Sequence, residues 1–367
     1  MNRNRKLNIM IVPTGGLGME GISCSIMNYY NSINKSKAKF TFVVTGIIGD
    51  IEYFNKIKQI IISNGDKVVE VNRKKNPIKY FFYITKMMMK DKYDVIHIHG
   101  SSSLMVIEVL AAKIANISNR IVHSHNTTCN YKIMNKLLKP ILLKLTTCRV
   151  ACGQDAGEWL FGENKFLILK NGIDVNKFSY DNQKRELMRK ELDLDKKKVI
   201  GHVGTFNKQK NQEFLIEILK ELVKRDSNYY MVLIGDGDKR EEVEKKVISE
   251  GLEKNVIFLG IRSDIADILQ AMDFMILPSL YEGLPLVAIE WQAAGLRCIL
   301  SDNITKEVKL TELINFMSLE EESLKWADKV EDLIEYKRNN YYKDEICKKG
   351  YNIETNSQEL IKIYTNS

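Results

Sequence analysis

The chain has 367 residues, 44% hydrophobic and 28% charged, which are globular values that exclude long disorder and fit two domains better than one. The net charge of +8 is uneven: residues 1–170 hold 25 Lys/Arg against 11 Asp/Glu, and the remainder holds 30 against 36. No apolar run approaches the ~20 residues of a membrane span, and the six scattered cysteines lack the paired spacing of a zinc site and read as reduced, buried thiols of a cytosolic protein.

In chain order, basic residues lead into Leu7–Pro13, too short for a secretory apolar segment and read as a first strand. A glycine loop, 14–23, runs into a helix over 22–33. Strands are expected at 39–45, 67–71, 93–98, 120–124, 148–152 and 166–169, with helices at 51–64, 78–91 and 102–116 between them. Several of these strands are continuously apolar, as parallel strands buried on both faces should be. Asn171-Gly172-Ile173-Asp174 interrupts the pattern, and a charged segment covers 179–197. A second series begins near Val199, with strands expected at 198–204, 229–235, 255–259, 273–277 and 297–301. From about 320 the chain reads as helical, ending in a helix over 352–364. The fold class is α/β: two Rossmann-like domains, 1–172 and 173–350, with a C-terminal segment 351–367. Ligands of such sheets bind at the carboxyl ends of the strands.

The richest motif is Pro278–Glu290, which sets Glu282 in a loop and Glu290 inside a helix. Pro285 suits a first helical turn, and open amides at that helix start make a seat for an anion. In Gly204–Asn211, Lys208 and Lys210 offer cations for a departing diphosphate. Gly235-Asp236-Gly237-Asp238 is a tight turn suited to backbone contact with phosphate. Gly16-x-Gly18-x-x-Gly21 has dinucleotide-like spacing, but no acidic residue ends the second strand near Val44-Thr45, which argues against a dehydrogenase. His97, His99, His123 and His125 lie in two pairs at strand ends, each pair on one face by alternation. With no carboxylate near them, structural histidines are preferred to a metal site. Residues 130–146 mix apolar side chains with Lys132, Lys136 and Lys139 on one helical face. They form either a core helix kinked at Pro140 or a helix lying on an anionic bilayer. Together with the basic first half, this favours loose membrane contact over nucleic acid.

The spacing Glu282-x7-Glu290 with its Gly-Leu-Pro resembles the signature of the retaining glycosyltransferases of the glycogen-synthase-like family 4. These have the GT-B fold, in which two Rossmann-like domains face each other across a cleft. The resemblance covers nearly the whole chain, is strongest over 200–310, and is closest to bacterial capsule and exopolysaccharide transferases. It implies that Glu282 holds hydroxyls of the donor sugar, that Glu290 holds the ribose, and that the amides of Gly283, Leu284 and Leu286 face the diphosphate. Lys210 matches the family's catalytic lysine. The family's arginine falls at Thr205, so this chain departs from the pattern there. Gly235 and Gly237 stand where the family has a metal-free Gly-x-Gly, and Gly21 where it carries a glycine beside the donor phosphates. His125 matches the histidine bordering the reacting sugar, and Gly16 and His99 are assigned to the acceptor. The implied activity is transfer of a sugar, with retention, from a nucleoside diphosphate donor (UDP being favoured) to a saccharide acceptor that is lipid-linked. No metal or other cofactor is expected, and the implied location is cytoplasmic, peripheral to the inner face of the membrane. The missing arginine leaves one alternative, a catalytically inactive partner subunit.

Overall fold

The computed structural model of the chain describes residues 5–18 and 20–365. The chain forms two compact units, one running up to Gly172 and resumed from Ile353, the other spanning Ile173–Asn352.

The first unit is built on seven parallel strands. Their spatial order is Lys67–Glu70, Ala38–Val44, Leu7–Pro13, Val95–Gly100, Asn119–Ser124, Cys148–Ala151 and Leu167–Ile168. Counted along the chain, this is third, second, first, then fourth to seventh, so the order reverses between Leu7–Pro13 and Val95–Gly100. The continuous apolar run of the first strand explains its central place. Ile9 and Ile11 pack on one face, with the helices Gly21–Ser32 and Ile353–Thr365. Met10 and Val12 pack on the other, with Pro77–Asp91 and Val106–Ile114. A small extra pairing, Leu17–Gly18 with Ile47–Ile48, has no counterpart in the sequence reading.

The last helix belongs to this first unit. Leu360 and Tyr364 are buried in its core, and the Asn119 side-chain amide donates to the carbonyls of Ile363 and Tyr364 at 3.0 and 3.2 Å. A Cβ on Gly172 would lie 2.8 Å from the backbone of Ile353, so the glycine permits the close approach of these two segments.

The second unit holds six parallel strands in the order Val256–Gly260, Tyr229–Ile234, Lys198–Val203, Phe274–Leu277, Arg297–Ser301 and Ile314–Met317. Along the chain this is 3-2-1-4-5-6, the doubly wound dinucleotide-fold order, whose switch point lies between the first and fourth strands. The edge strand Ile314–Met317 escaped the sequence reading because it is four residues long and mostly half-buried. Neither a continuous apolar run nor a clear alternation marks it.

Pro140 lies inside the helix Lys132–Leu145. Two local expectations need correction. Pro285 sits at the N-cap rather than in the first turn of the helix Leu286–Ala293. All six cysteines are free, but only Cys298 is buried and Cys24 is exposed, so burial does not account for the set.

Candidate active site

In the second unit, three loops leave the carboxyl ends of adjacent strands and are tied to one another. The loop after Lys198–Val203 carries Lys210, and the loop after Phe274–Leu277 carries Glu282; these strands flank the switch point. Lys210 Nζ donates to Glu282 Oε1 at 2.5 Å, with both side chains mostly shielded from solvent. Ser279 Oγ donates to the same carboxylate oxygen at 2.9 Å. The Leu280 amide donates to the Gln209 carbonyl, and the Gln209 side chain donates to the Tyr281 carbonyl, so backbone and side chain stitch the two loops together.

The third loop is the glycine turn after Tyr229–Ile234. Gly235 has φ +134°, and a Cβ there would lie 2.1 Å from the Gly204 carbonyl oxygen. A Cβ on Gly237 would lie 2.2 Å from the Phe206 carbonyl oxygen. These glycines are therefore required by the close packing of two loops, independently of any ligand. Gly235→Ala should cost the second unit about 2–4 kcal/mol through strain and displacement of the Lys210 loop. Thermal unfolding measures this, and an unchanged midpoint would refute the packing argument. Asp236 is engaged locally, accepting from the Gly237 amide and from Arg240.

Beneath Thr205 lies a buried pair that sequence reasoning missed. His202 is fully buried, and its Nδ1 donates to the Ile276 carbonyl at 2.9 Å. A neutral imidazole has one N–H, so Nε2 is left as an acceptor facing the Gln212 amide at 3.4 Å. Gln212 also donates to the Thr205 carbonyl at 2.9 Å. Burial pushes the His202 ring down to about 4, with the Lys210 charge acting in the same direction. The pair fixes the backbone at Thr205, where no guanidinium is available. Its only signal in the sequence is a histidine in an otherwise apolar strand. Lys208 is exposed in the same loop.

Helix Leu286–Ala293 opens without a side-chain cap; the Ala288 amide donates to the Pro285 carbonyl, and those of Leu286 and Val287 are left to face an anion. Leu286, Ala288, Ile289 and Trp291 are buried. Val287 and Glu290, three positions apart on one side of the helix, are half-buried. Burial pushes the Glu290 carboxyl up to about 8, opposed by the attraction of Lys177. Gly283 is exposed, and a Cβ there would meet nothing. Leu284 packs partly against the core, so only its backbone could serve a ligand.

In the first unit, Gly16, His99 and His125 lie at the carboxyl end of the sheet beside its switch point. Gly16 has φ +122°, and a Cβ would lie 2.6 Å from the Gly46 carbonyl oxygen, which accounts for the glycine without a ligand. Gly21 begins its helix facing open space. The four histidines do share one face and bond to one another. His97 bridges the Tyr364 hydroxyl at 2.8 Å and His123 Nδ1 at 3.2 Å, and His99 Nδ1 meets His125 Nε2 at 2.9 Å. Ring nitrogens of His97, His99 and His123 gather within 4.8 Å, but the facing nitrogens of His97 and His123 are spent on each other. Burial holds all four rings well below the ordinary histidine range, His97 and His125 to about 3. His125 is half-buried, and its Nδ1 has no partner among the described residues. It is the ring of the four best placed to receive a ligand.

Two doubly wound units, one with a cation, an acceptor pair and a helix N-terminus at its switch point, define a GT-B glycosyltransferase. Residues 183–344 match the family described as glycosyl transferases group 1, and 51–151 match the glycosyl transferase 4-like family. The chain is 30% identical over 386 residues to the putative glycosyltransferase EpsF of Bacillus subtilis, covering 99% of this chain and 97% of EpsF. It therefore belongs to the family 4 glycosyltransferases. It is also 30% identical, over 61% of its length and 62% of the relative's, to the Escherichia coli UDP-Gal:alpha-D-GlcNAc-diphosphoundecaprenol alpha-1,3-galactosyltransferase. Among solved structures, Anabaena HepE in complex with UDP has the same fold, with a TM-score of 0.75 at 16% identity, covering 98% of this chain and all of HepE.

Proposed function

We propose that this chain transfers a sugar from a UDP-sugar to a lipid-linked saccharide during synthesis of a cell-surface polysaccharide, with retention at the anomeric carbon and without a metal. The observation that carries the donor half is the Lys210–Glu282–Ser279 cluster at the switch point of the second unit. In the bound state Lys210 turns to the diphosphate, and Glu282 is freed to accept from hydroxyls of the sugar. The leaving diphosphate gathers charge as its bond to the sugar breaks. A lysine and helix amides preorganised around it stabilise that charge. Glu290, in the body of the same helix, accepts from the ribose hydroxyls. The acceptor half rests on the histidine end of the first unit, with His125 Nδ1 open. The names of the Escherichia coli relative and of the HepE complex support the choice of UDP and of an undecaprenol-linked acceptor.

Saturation-transfer NMR against a panel of nucleotide sugars tests the donor. Metal-free binding of a uridine donor, lost in Glu290→Ala, is expected; no binding to any of them overturns the reading. The pH dependence sharpens the test. A Glu290 carboxyl raised to about 8 is mostly protonated at pH 7 and ionised at pH 9. Only the ionised form accepts from both ribose hydroxyls. UDP affinity should therefore rise about tenfold from pH 7 to 9, and Glu290→Gln should flatten the curve. A flat profile in the unaltered protein would remove Glu290 from the ribose site.

A further inference from the structure

In the first unit, Gly100-Ser101-Ser102-Ser103-Leu104 leads from the strand Val95–Gly100 towards the helix Val106–Ile114. The run leaves the carboxyl end of the sheet beside its switch point, and its backbone is tied on every side. The Gly100 carbonyl accepts from the His125 amide at 3.1 Å, and the Ser101 carbonyl from the Trp159 indole at 2.9 Å. The Ser103 amide donates to Asn135 Oδ1 at 2.6 Å, and the Leu104 carbonyl accepts from Arg73 at 2.6 Å. A Cβ on Gly100 would lie 2.4 Å from Thr14 Oγ1, so the run also packs closely on the loop after the first strand.

The side chains of this fixed run are idle. Ser101 and Ser102 are half-buried, and neither hydroxyl has a hydrogen-bond partner among the described residues. Ser102 stands at the cap of the helical turn Ser103–Met105, yet its side chain makes no cap bond. Ser103 Oγ is fully buried and has no partner either. A loop serine ordinarily spends its hydroxyl on nearby backbone, and a buried polar atom without a partner is uncommon. Unused hydroxyls on three successive residues of a backbone this firmly held are not explained by the fold itself.

Arg73 joins a second loop to the first. Residues 72–76 follow the strand Lys67–Glu70 and are fixed in turn. Asn72 Oδ1 accepts from the Lys75 amide, and Asn76 Oδ1 from the Lys79 amide. The Arg73 guanidinium is spent on the Leu104 carbonyl and on Glu108, a fully buried carboxylate 3.1 Å away. Lys74 and Lys75 remain, both exposed and without an ion pair among the described residues.

The chemistry of the two loops is one-sided. The side-chain oxygens of Asn72, Asn76 and Asn135 are taken by backbone amides, and Glu108 faces Arg73. What is left over is hydroxyl and ammonium. A sugar ring presents hydroxyls, whose own protons need acceptors. A phosphate oxyanion needs donors alone, and with ammonium groups it forms the stronger, charge-assisted bonds.

We propose that Ser101, Ser102, Lys74 and Lys75 form a diphosphate site in the first unit, separate from the donor site of the second, which takes the diphosphate joining the acceptor sugar to its lipid. The proposal rests on the acceptor reading above. The bond from the His125 amide to Gly100 sets this site beside the ring with the open Nδ1, so the sugar carried on the diphosphate falls next to that ring.

The test is calorimetric titration of the full chain, saturated with UDP, with inorganic pyrophosphate, geranyl diphosphate and orthophosphate. Both diphosphates should bind with UDP still in place, and orthophosphate about tenfold more weakly. S101A/S102A and K74A/K75A should each weaken diphosphate binding about tenfold, leaving the unfolding midpoint and UDP affinity unchanged. Displacement of UDP with no further binding overturns the proposal, because the probe then sees only the donor site. Binding by S101A/S102A equal to that of the unaltered chain overturns it too, since positive charge alone would then suffice. Equal affinity for orthophosphate would make this a general anion site, and rejection of geranyl diphosphate alone would assign it to free pyrophosphate; either result sinks the acceptor role. The altered residues all lie in the first unit, so failure here leaves the UDP test standing. If UDP itself does not bind, pyrophosphate titration of the unliganded chain and of S101A/S102A still decides the point.

Discussion

Lys210→Ala should lower transfer by about 10²–10³-fold, the usual effect of removing one preorganised group that stabilises transition-state charge. The structure makes this residue unusually exposed to such a test. Thr205 stands where the resemblance places the family's second cation, and Lys208 is exposed. Lysine is a point charge and does not replace a bidentate guanidinium, so in the proposed mechanism most of the charge stabilisation falls to Lys210. Glu282→Gln should give a loss of similar order, because the same substitution removes an acceptor for the sugar and the partner that places Lys210. The two effects should not add. In the unliganded site the groups share one hydrogen bond, so the double variant should be little worse than either single one. Release of nucleoside diphosphate from the donor, measured for the unaltered chain, both singles and the double, decides the point. Additive losses would show that the two side chains act separately, and full activity in Lys210→Ala would remove the lysine from the mechanism.

Acidification should unfold the first unit well before the second. His97, His99 and His123 are buried as neutral rings, whereas in the unfolded chain a histidine titrates near 6.5. The folded values lie below the unfolded one, so the unfolded state binds more protons below pH 6.5. Stability is full above that point and falls as the pH drops, until the folded rings themselves titrate, near 3 for His97. Each such ring costs about 2 kcal/mol between pH 7 and 5. Three of them cost roughly 6 kcal/mol, comparable with the whole stability of a domain. The second unit has one buried histidine, His202, lowered to about 4. Ring proton NMR against pH, followed with denaturant unfolding at pH 7 and 5, checks the argument. The four clustered rings should stay neutral for as long as the first unit is folded. A ring from the cluster that titrates between pH 6 and 7 in the folded protein would contradict it.

Much of this protein was legible from its residues alone. Continuous apolar strands such as Leu7–Pro13, separated by amphipathic stretches, specify parallel sheets covered on both faces, because only such a sheet hides both faces of a strand. The run Pro278–Glu290 was legible as a loop entering a helix, because its glycine and proline suit a helix start. Histidine alternation put each pair on one face, because strand geometry is local and has period two.

The tertiary structure decided what depends on groups distant in the chain. Lys210 and Glu282 are 72 positions apart, and nothing in either segment says that they meet. The 3-2-1-4-5-6 strand order brings them together by placing the first and fourth strands side by side. The reasons for the glycines changed in the same way. Gly16, Gly235 and Gly237 are held by backbone from other loops, a steric requirement that spacing cannot express. The Ile314–Met317 strand exists because a neighbouring strand offers its edge, not because four residues prefer that state. Burial also decided the charges. Glu290 looks like an ordinary helix-surface carboxylate in the sequence, and only the apolar packing around its helix raises its proton affinity.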